Sequence, residues 1–254
     1  MAKEADLPSG VETPGEGTVE FVRPRVREDD VAVVADSREV WRGRTAGKLV
    51  GAVYDFTVQR AWLARPAGLA LWGTDIRLLF DSIRAVGDLP EDSAVLDIPC
   101  GGGLALRGLR RDQHVRYVAA DISPDMLARA RRRASTLGRR DVQFANADIE
   151  RIPFDDNEFD LCLSFNGLHC VPDPAAAIRE ISRCLAPGGR LVGDAVVRGA
   201  GLREDIAFGV FRRSGFFGPG GTADDLRDWL IDAGLRVDRL QRSGAIVHFA
   251  ATRG

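Results

Sequence analysis

Short apolar runs alternate with helical patterns from Ala94 to the end of the chain, and this alternation limits the choice of fold more than any other feature. Seven runs have the length and composition of strands. Only residues 241–244 separate the last two runs, so these two predict a hairpin. The sequence therefore predicts an α/β fold, a doubly wound and mostly parallel seven-stranded sheet with a C-terminal antiparallel hairpin. The predicted strands are 94–98, 115–120, 142–145, 159–165, 190–197, 235–240 and 245–251.

Helix starts and stops lie between these strands. Ser123-Pro124 and Asp173-Pro174 each give an N-cap followed by a proline at the first helical position, and Thr222 lies three residues before Asp225, as in a capping box. Glycines predict the ends of these three helices at Gly138, residues 187–189 and Gly234. A further amphipathic helix is predicted over residues 74–86.

Residues 1–45 differ from the rest because they lack a sustained period and carry scattered proline, glycine and charge. We interpret them as an N-terminal extension that drapes over the body or is in part disordered. Within it, residues 31–34 could pair as a short strand. Helical spacing begins at Leu49, so the folded domain is predicted over residues 46–254.

Composition excludes several functional classes. The chain has 254 residues and a formal net charge of −2, which leaves no global field to attract nucleic acid or anionic lipid. No apolar run approaches the roughly 20 residues of a membrane span, and the polar amino terminus is not a secretory signal. Four cysteines and three histidines show neither disulfide-scaffold nor metal-ligand spacing, so no metal is expected. We expect a soluble, cytoplasmic protein.

Acidic residues stand at or near the ends of the first three strands, where such a sheet binds ligands. After the first strand comes Asp97-Ile98-Pro99-Cys100-Gly101-Gly102-Gly103, whose glycines allow a ligand to approach the backbone. A dinucleotide fingerprint would need a glycine at position 106, which is leucine. The carboxylate of Asp97 would repel a pyrophosphate but attract an ammonium group.

Two further acids complete this pattern. Asp121 ends the second strand, where a carboxylate typically accepts hydrogen bonds from ribose hydroxyls. Asp148 follows the third strand and could accept a hydrogen bond from an exocyclic amine, while its neighbour Ile149 could cover a base. An ammonium group, a ribose and a purine amine together describe S-adenosylmethionine (SAM).

Four segments carry a resemblance to a known family. Residues 95–103, 118–126, 146–154 and 159–189 resemble the class I SAM-dependent methyltransferases, in particular the broad type 11 group that includes the ubiquinone- and menaquinone-biosynthesis enzymes. The resemblance covers the chain from about Lys48 to the C-terminus. It implies a Rossmann-like methyltransferase fold, with SAM as cofactor and S-adenosylhomocysteine (SAH) as product.

The resemblance also implies which residues surround the cofactor. Around its methionine part would lie Tyr54, Asp97, Cys100, Gly101, Gly103 and Phe165. Around its ribose and adenine would lie Asp121, Ile122, Met126, Asp148 and Ile149. In this assignment Phe165 offers its backbone to the amino group, and Tyr54 lies near the carboxylate. Pro99 departs from the family, which usually has glycine there, and predicts a stiffer loop.

His169 is the main catalytic candidate, because it follows the fourth strand and an imidazole can take a proton near neutral pH. The alternative is a histidine that packs against, or hydrogen-bonds to, its own loop. Asp194, near the end of the fifth strand, is a weaker second candidate. Cys100 is expected to pack rather than to act as a nucleophile.

Residues 198–221 carry four phenylalanines among glycines and are a candidate lid over the acceptor; the alternative is an ordinary amphipathic helix packed on the core. Either way the acceptor is expected to be partly apolar. The basic cluster around residues 129–140 is interpreted as a solvated helix face, and residues 164–167 lack the Asn/Asp-Pro-Pro-aromatic run of nucleic-acid amine methyltransferases. Both observations argue against nucleic acid.

The resulting hypothesis is a methyltransferase that acts on a small-molecule acceptor, with O- or C-methylation favoured, by in-line displacement. His169 would act as a base only if the acceptor needs one. Two rival hypotheses are a nucleotide-dependent oxidoreductase and a catalytically silent SAM-binding module. The oligomeric state is not predicted by the sequence.

Overall fold

The predicted strands form one seven-stranded sheet in the order β3-β2-β1-β4-β5-β7-β6. Strands β1 to β5 are parallel, and β7 runs antiparallel to both β5 and β6. The structure is a computed structural model that describes residues 37–43, 68–69, 71–75 and 77–254. The strands are β1 Ala94–Asp97, β2 Arg116–Asp121, β3 Gln143–Asn146, β4 Phe159–Phe165, β5 Leu185–Val196, β6 Leu235–Ser243 and β7 Ile246–Arg253.

Strand β1 lies between β2 and β4, so the connections on its two sides leave in opposite directions. This switch point opens a crevice at the carboxyl ends of β1 and β4. Alternate residues of each strand face opposite sides of the sheet, and both sides are apolar because helices cover both. Leu96 and Val118 belong to one core, whereas Val95 and Ala119 belong to the other.

Three helices begin at the predicted caps. The Ser123 hydroxyl accepts a hydrogen bond from the Met126 N–H, and the Asp173 carboxylate accepts one from the Ala176 N–H. Thr222 and Asp225 form a reciprocal capping box. The helices are α1 Ser37–Gly43, α2 Arg77–Arg84, α3 Pro124–Thr136, α4 Pro174–Cys184, α5 Leu202–Arg213 and α6 Ala223–Asp232.

Some boundaries differ from the prediction. Helix α4 ends at Cys184 and β5 begins at once, five residues before the predicted start at residue 190. The reason is that Leu185 pairs with Phe159 and enters the core, and an irregularity between Phe159 and Leu161 then restores the register. At the C-terminus the hairpin strands are longer than predicted, and Gly244, with φ +58°, forms the turn.

The predicted N-terminal extension contains α1, which packs on the domain. Arg38 pairs with Asp148 and Glu150, and the Trp41 indole donates a hydrogen bond to the Phe216 carbonyl over 3.1 Å. The expected strand at residues 31–34 and the helical segment that starts at Leu49 lie outside the described residues.

Residues 198–221, the candidate lid, include α5 and an aromatic cluster. Phe208, Phe216 and Phe217 are buried, and Phe211 stacks on Phe217 with ring centroids 5.0 Å apart. Trp72 stacks against the same Phe217 ring at 5.9 Å. The aromatic side chains therefore pack on the domain, and a lid movement stays a prediction.

Candidate functional site

Asp97 ends β1 as a buried carboxylate. The Tyr117 hydroxyl donates a hydrogen bond to its Oδ2 over 2.9 Å. Burial raises the pKa of Asp97 to about 7, with the Tyr117 hydrogen bond opposing this rise and the charge of Asp121 adding to it. A cation placed beside Asp97 would remove much of the cost of its ionisation. The end of β1 is thus suited to an ammonium group.

The glycine loop after β1 has an open part and a packed part. At Gly101, with φ +51°, a Cβ would meet nothing within 4 Å, so a ligand can reach the backbone there. At Gly103, with φ +76°, a Cβ would lie 3.2 Å from Ala130 of α3. Gly101 therefore suits ligand approach, whereas Gly103 serves the packing of the loop on the helix.

Cys100 lies between Asp97 and Gly101 in the glycine loop, and its N–H donates a hydrogen bond to the Ala120 carbonyl over 2.8 Å. Its side chain is buried, and burial raises the pKa of the thiol well above its usual value. This environment keeps the thiol protonated, consistent with a packing role for the side chain.

Asp121 ends β2 and joins two loops. Its Oδ2 accepts a hydrogen bond from the Gly101 N–H over 2.8 Å, and its Oδ1 accepts one from the Ser123 N–H over 2.8 Å. Burial raises the pKa of Asp121 to about 6, against the lowering effect of these two hydrogen bonds. A carboxylate has about four acceptor positions, so capacity for ribose hydroxyls remains. The capping role and the ribose role are compatible.

The loop after β3 is fixed to the loop after β2. The Asn146 side-chain amide donates hydrogen bonds to the carbonyls of Asp121 and Ile122, over 3.0 and 3.1 Å. This contact brings Asp148 and Ile149 to the same edge as Asp121. Ile149 is buried and Ile122 is half-buried.

The Asp148 carboxylate already contacts Glu150 and Arg38. Its Oδ1 accepts a hydrogen bond from the Glu150 N–H over 3.1 Å, and the Arg38 Nε lies 3.4 Å from its Oδ2. Met126, the other residue expected near adenine, is buried at the first turn of α3. An adenine amine would therefore share Asp148 with Arg38.

The loop after β4 lies directly over the glycine loop. A Cβ at Gly167 would come within 2.3 Å of the Pro99 ring, so only glycine fits there. Phe165, at the end of β4, is half-buried and pairs in register with Asp194 of β5. Asn166 follows it with φ +54°. The structure thus places the backbone of Phe165 beside the predicted methionine region.

His169 is buried and engaged in packing. The Val196 N–H donates a hydrogen bond to its Nδ1 over 3.1 Å, and its ring meets Phe217 edge-on at 4.5 Å. Burial lowers the pKa of His169 to about 3, so the ring is neutral near pH 7 and its proton lies on Nε2. This geometry favours the packing alternative, and a base role for His169 stays a prediction.

Asp194 lies near the end of β5 with its Oδ1 accepting a hydrogen bond from the Asn166 N–H over 2.8 Å. Burial raises the pKa of Asp194 to about 7. His248 of β7 stands opposite it in the sheet, with its Nδ1 3.6 Å from Asp194 Oδ2. The structure therefore gives Asp194 a partner that the sequence did not indicate.

Three of the residues at this edge were missed by the sequence reasoning, and Tyr54 lies outside the described residues. A tyrosine within a buried strand looks like an ordinary core residue, so Tyr117 gave no signal. His248 is recognisable only once the register between β5 and β7 is known. Arg38 lies in a segment without periodicity. Among the described residues no cluster of three or more His, Cys, Asp or Glu is placed to hold a metal.

Three comparisons with known proteins bear on this site. Residues 96–193 match the family described as "Methyltransferase domain". A demethylmenaquinone methyltransferase from Thermus thermophilus is 39% identical over 128 residues, which are 49% of this chain and 56% of that protein. An arsenite methyltransferase from Halobacterium salinarum is 26% identical over 169 residues, 65% of this chain and 43% of that protein. The chain thus spans about half the length of the curated relatives it matches.

A solved structure of a SAM-dependent methyltransferase from Aquifex aeolicus shares the fold, with a TM-score of 0.54 and 22% identity. The match covers 74% of this chain and 94% of that one. The sheet order, the glycine loop and these matches define a Rossmann-like methyltransferase fold. Residues 96–193 are thus similar to a methyltransferase domain, and the fold of the chain agrees with that similarity.

Within the described ranges, no helix has the length and apolar character needed to cross a membrane.

Proposed function

We propose that this protein transfers a methyl group from SAM to a small, partly apolar acceptor, with an oxygen or an acidic carbon as the favoured accepting atom. One observation carries the proposal: the segment that matches the methyltransferase family holds Asp97 and Asp121 around the open Gly101 backbone. Two buried carboxylates beside an open stretch of backbone complement a ligand that carries both a cation and hydroxyls.

The residues at this edge fit the cofactor in chemistry and in order. Asp97 would bind the ammonium group, and the ammonium charge would stabilise the ionised form of a carboxyl whose pKa burial has raised. Asp121 would bind the ribose hydroxyls. Asp148 would accept the adenine amine, with Ile149 against the ring. Phe165 would supply its backbone to the amino group.

SAM supplies an electrophilic methyl group, so the chain's main task is to hold and shield the reactants. Hydrogen bonds between the loops fix the binding site. Asp121 joins Gly101 to the turn after β2, and Asn146 joins that turn to β3. The aromatic cluster of Phe208, Phe216 and Phe217 is buried near the β5 end, where it packs with Val196. A movement of the segment over residues 198–221 would turn these side chains into an apolar wall that excludes water and suits a partly apolar acceptor.

Ligand-induced thermal stabilisation tests the cofactor part of the proposal. SAM and SAH should each raise the unfolding temperature, and the ligand that binds more tightly should raise it more at equal concentration. NAD should not, because position 106 is not the glycine that a dinucleotide loop needs. Stabilisation by NAD alone would support the oxidoreductase hypothesis instead.

A screen with methyl-labelled SAM tests the transfer part. Phenols, enols and activated methylene compounds should include substrates if oxygen or acidic carbon accepts the methyl group. Binding of SAM without transfer to any of these classes would favour the silent-module hypothesis. Transfer restricted to amines or thiols would contradict the proposed acceptor atom.

A further inference from the structure

Asp194, the second catalytic candidate, forms a buried polar pair with His248. They face each other in register across β5 and β7, with exposed fractions of 1% and 2%. The His248 Nδ1 lies 3.6 Å from Asp194 Oδ2. Among the described residues, Asp194 Oδ2 and both ring nitrogens of His248 lack a hydrogen-bond partner. Only Asp194 Oδ1 is satisfied, by the Asn166 N–H.

Such an arrangement is expensive unless a proton lies between Oδ2 and Nδ1, which either a protonated Asp194 or the Nδ1–H tautomer of neutral His248 supplies. A buried polar atom without a partner is destabilising, and an isolated buried carboxylate much more so. One proton held between Oδ2 and Nδ1 would give both atoms a partner, and a small side-chain rotation would shorten 3.6 Å to hydrogen-bond length. The geometry thus favours a single shared proton.

The charged and polar neighbours of the pair come from several elements. Arg239 of β6 acts on His248 electrostatically, and its guanidinium donates a hydrogen bond to Ser82 of α2 over 3.1 Å. Gln241 of β6 stands opposite His248. Asp97 of β1 lies two strands away from Asp194 on the same face of the sheet. The Asn166 N–H, from the loop after β4, contacts Asp194 Oδ1.

Burial sets the proton affinities of the two groups. It raises the pKa of Asp194 to about 7. It also lowers the pKa of His248 to about 4, in the same direction as the charge of Arg239. The pair therefore gains or loses its proton near neutral pH, and a nearby charge can shift that balance.

The pair lies next to the proposed methyl-donor site. Asp194 pairs in register with Phe165, whose backbone would hold the cofactor amino group, and its carboxylate anchors the next residue of that loop. The family match ends at residue 193, one residue before Asp194. The position of the pair beside the methyl donor rests on the proposed function.

We propose that Asp194 and His248 share one proton whose retention is controlled by the charge of the methyl donor. The pair keeps the proton when the site is empty or holds SAH, and loses it when the positively charged sulfonium of SAM is bound. Two unit charges about 10 Å apart at an effective dielectric constant of about 20 shift a titration by roughly one pH unit. This shift is large enough to change the state of the pair at neutral pH.

The proposal narrows the class of acceptor. An ionised Asp194 that appears only with the methyl donor can take up the proton of a nucleophile that must lose one, such as a hydroxyl. The acceptor O–H bond breaks, its electron pair forms the bond to the methyl carbon, and the carbon–sulfur electron pair stays on sulfur. The proton reaches Asp194 Oδ2 through one bridging water, because the buried carboxylate does not touch the acceptor. The pair is then protonated again, as expected beside neutral SAH.

Nuclear magnetic resonance of protein labelled with 15N-histidine and 13C-aspartate tests the shared proton without any acceptor. In the ligand-free chain, His248 and Asp194 should titrate together near neutral pH. The midpoint should be about one pH unit lower in the SAM complex than in the SAH complex. Because both ligands carry the ammonium group and the ribose, the difference isolates the sulfonium charge. His169 is the internal control, since its Nδ1 accepts the Val196 N–H and its signals should not titrate near neutral pH in any of the three states.

Asp194→Asn should abolish the titration of His248 near neutrality, and His248→Gln supplies a second variant if the first does not fold. Thermal unfolding and SAH affinity check both variants. Equal midpoints in the two complexes, or no common titration, would overturn the proposal. If neither ligand binds, the proposed function and the sulfonium control fail together, whereas the ligand-free titration still decides whether the proton is shared.

Discussion

The two ends of the sheet carry buried carboxyl groups in different settings. At the β1–β3 end, Asp97 has a tyrosine hydroxyl and Asp121 has two backbone N–H groups as partners. At the β5–β7 end, one carboxylate oxygen of Asp194 has a partner, and the other faces a histidine whose ring nitrogens have no hydrogen-bond partner among the described residues. The first end has the character of a prepared binding site, and the second that of an acid–base site.

This difference teaches that burial alone does not define a role. Burial raises the pKa of Asp97 and of Asp194 alike, to about 7 in each case. What differs is the neighbouring group, because Tyr117 donates a hydrogen bond to one carboxylate and His248 can exchange a proton with the other. Predictions that separate the two ends therefore change one setting at a time.

The largest expected effect is at the contact between Gly167, in the loop after β4, and Pro99, in the glycine loop after β1. Gly167→Ala would place a Cβ 2.3 Å from a rigid proline ring, which must then shift. We expect a loss of about 2–3 kcal/mol in the free energy of unfolding, measured by urea titration. Gly209→Ala in α5 is the control, because a Cβ there meets nothing within 4 Å and should stabilise the helix by about 0.5–1 kcal/mol. If Gly167→Ala is as stable as wild type, the two loops do not pack as described.

The second prediction concerns pH and the β5–β7 end. An acid with a raised pKa binds a proton in the folded state that the unfolded chain has already lost, so its contribution to stability falls as the pH rises from about 4 to about 7. Asp194→Asn has no titrating carboxyl at this position, so its stability does not fall in this way as the pH rises. Relative to wild type, the variant should gain about 2 kcal/mol between pH 5 and pH 7.

Denaturant titrations at several pH values measure this difference. The lowered pKa of His169 acts in the opposite direction but is present in both proteins, so it cancels. Asp112→Asn, at a side chain that is 88% exposed, should show no such trend. If the difference in the free energy of unfolding between Asp194→Asn and wild type does not change with pH, burial does not raise the pKa of this carboxyl.

The third prediction tests the adenine side of the β1–β3 end. Asp148→Asn should weaken SAH binding about tenfold in calorimetry, because a charge-assisted hydrogen bond becomes a neutral one. Arg38→Ala keeps the carboxylate but removes its ion-pair partner, so its affinity should be unchanged or higher. Weaker binding by Arg38→Ala than by Asp148→Asn would assign the adenine contact to the arginine.

The smallest effect is expected at the N-terminal cap of α6. Thr222→Ala breaks the capping box of α6 and should cost about 1 kcal/mol of stability in urea, with SAH affinity unchanged. Thr136→Ala is the matched control, because that exposed hydroxyl only bonds a carbonyl of its own helix. A loss of affinity in Thr222→Ala would mean that the second end of the sheet also shapes the cofactor site.

The sequence predicted most of the fold because local signals agreed with each other. Ser123, Asp173 and Thr222 cap helices as expected, and seven apolar runs became the seven strands. The end of α4 was misplaced because Leu185 continues the apolar pattern of the helix while its backbone pairs with β4. Only tertiary pairing decides that boundary.

The candidate site was predicted unevenly for a similar reason. Residues that follow parallel strands could be assigned to one edge without knowing the register, which is how Asp97, Asp121 and Asp148 were found. His248 required the register of an antiparallel pair, and Arg38 required the docking of a helix. Contacts made across long sequence separations leave no local pattern.

Titration calorimetry of SAH at neutral pH tests the central claim most directly. Wild type should bind SAH, Asp121→Asn should bind at least about 30-fold more weakly because it loses a buried charged acceptor, and Asp112→Asn should match wild type within about twofold. Thermal unfolding of Asp121→Asn establishes that the variant is folded. No binding by wild type, or equal affinity in folded Asp121→Asn, would contradict the account.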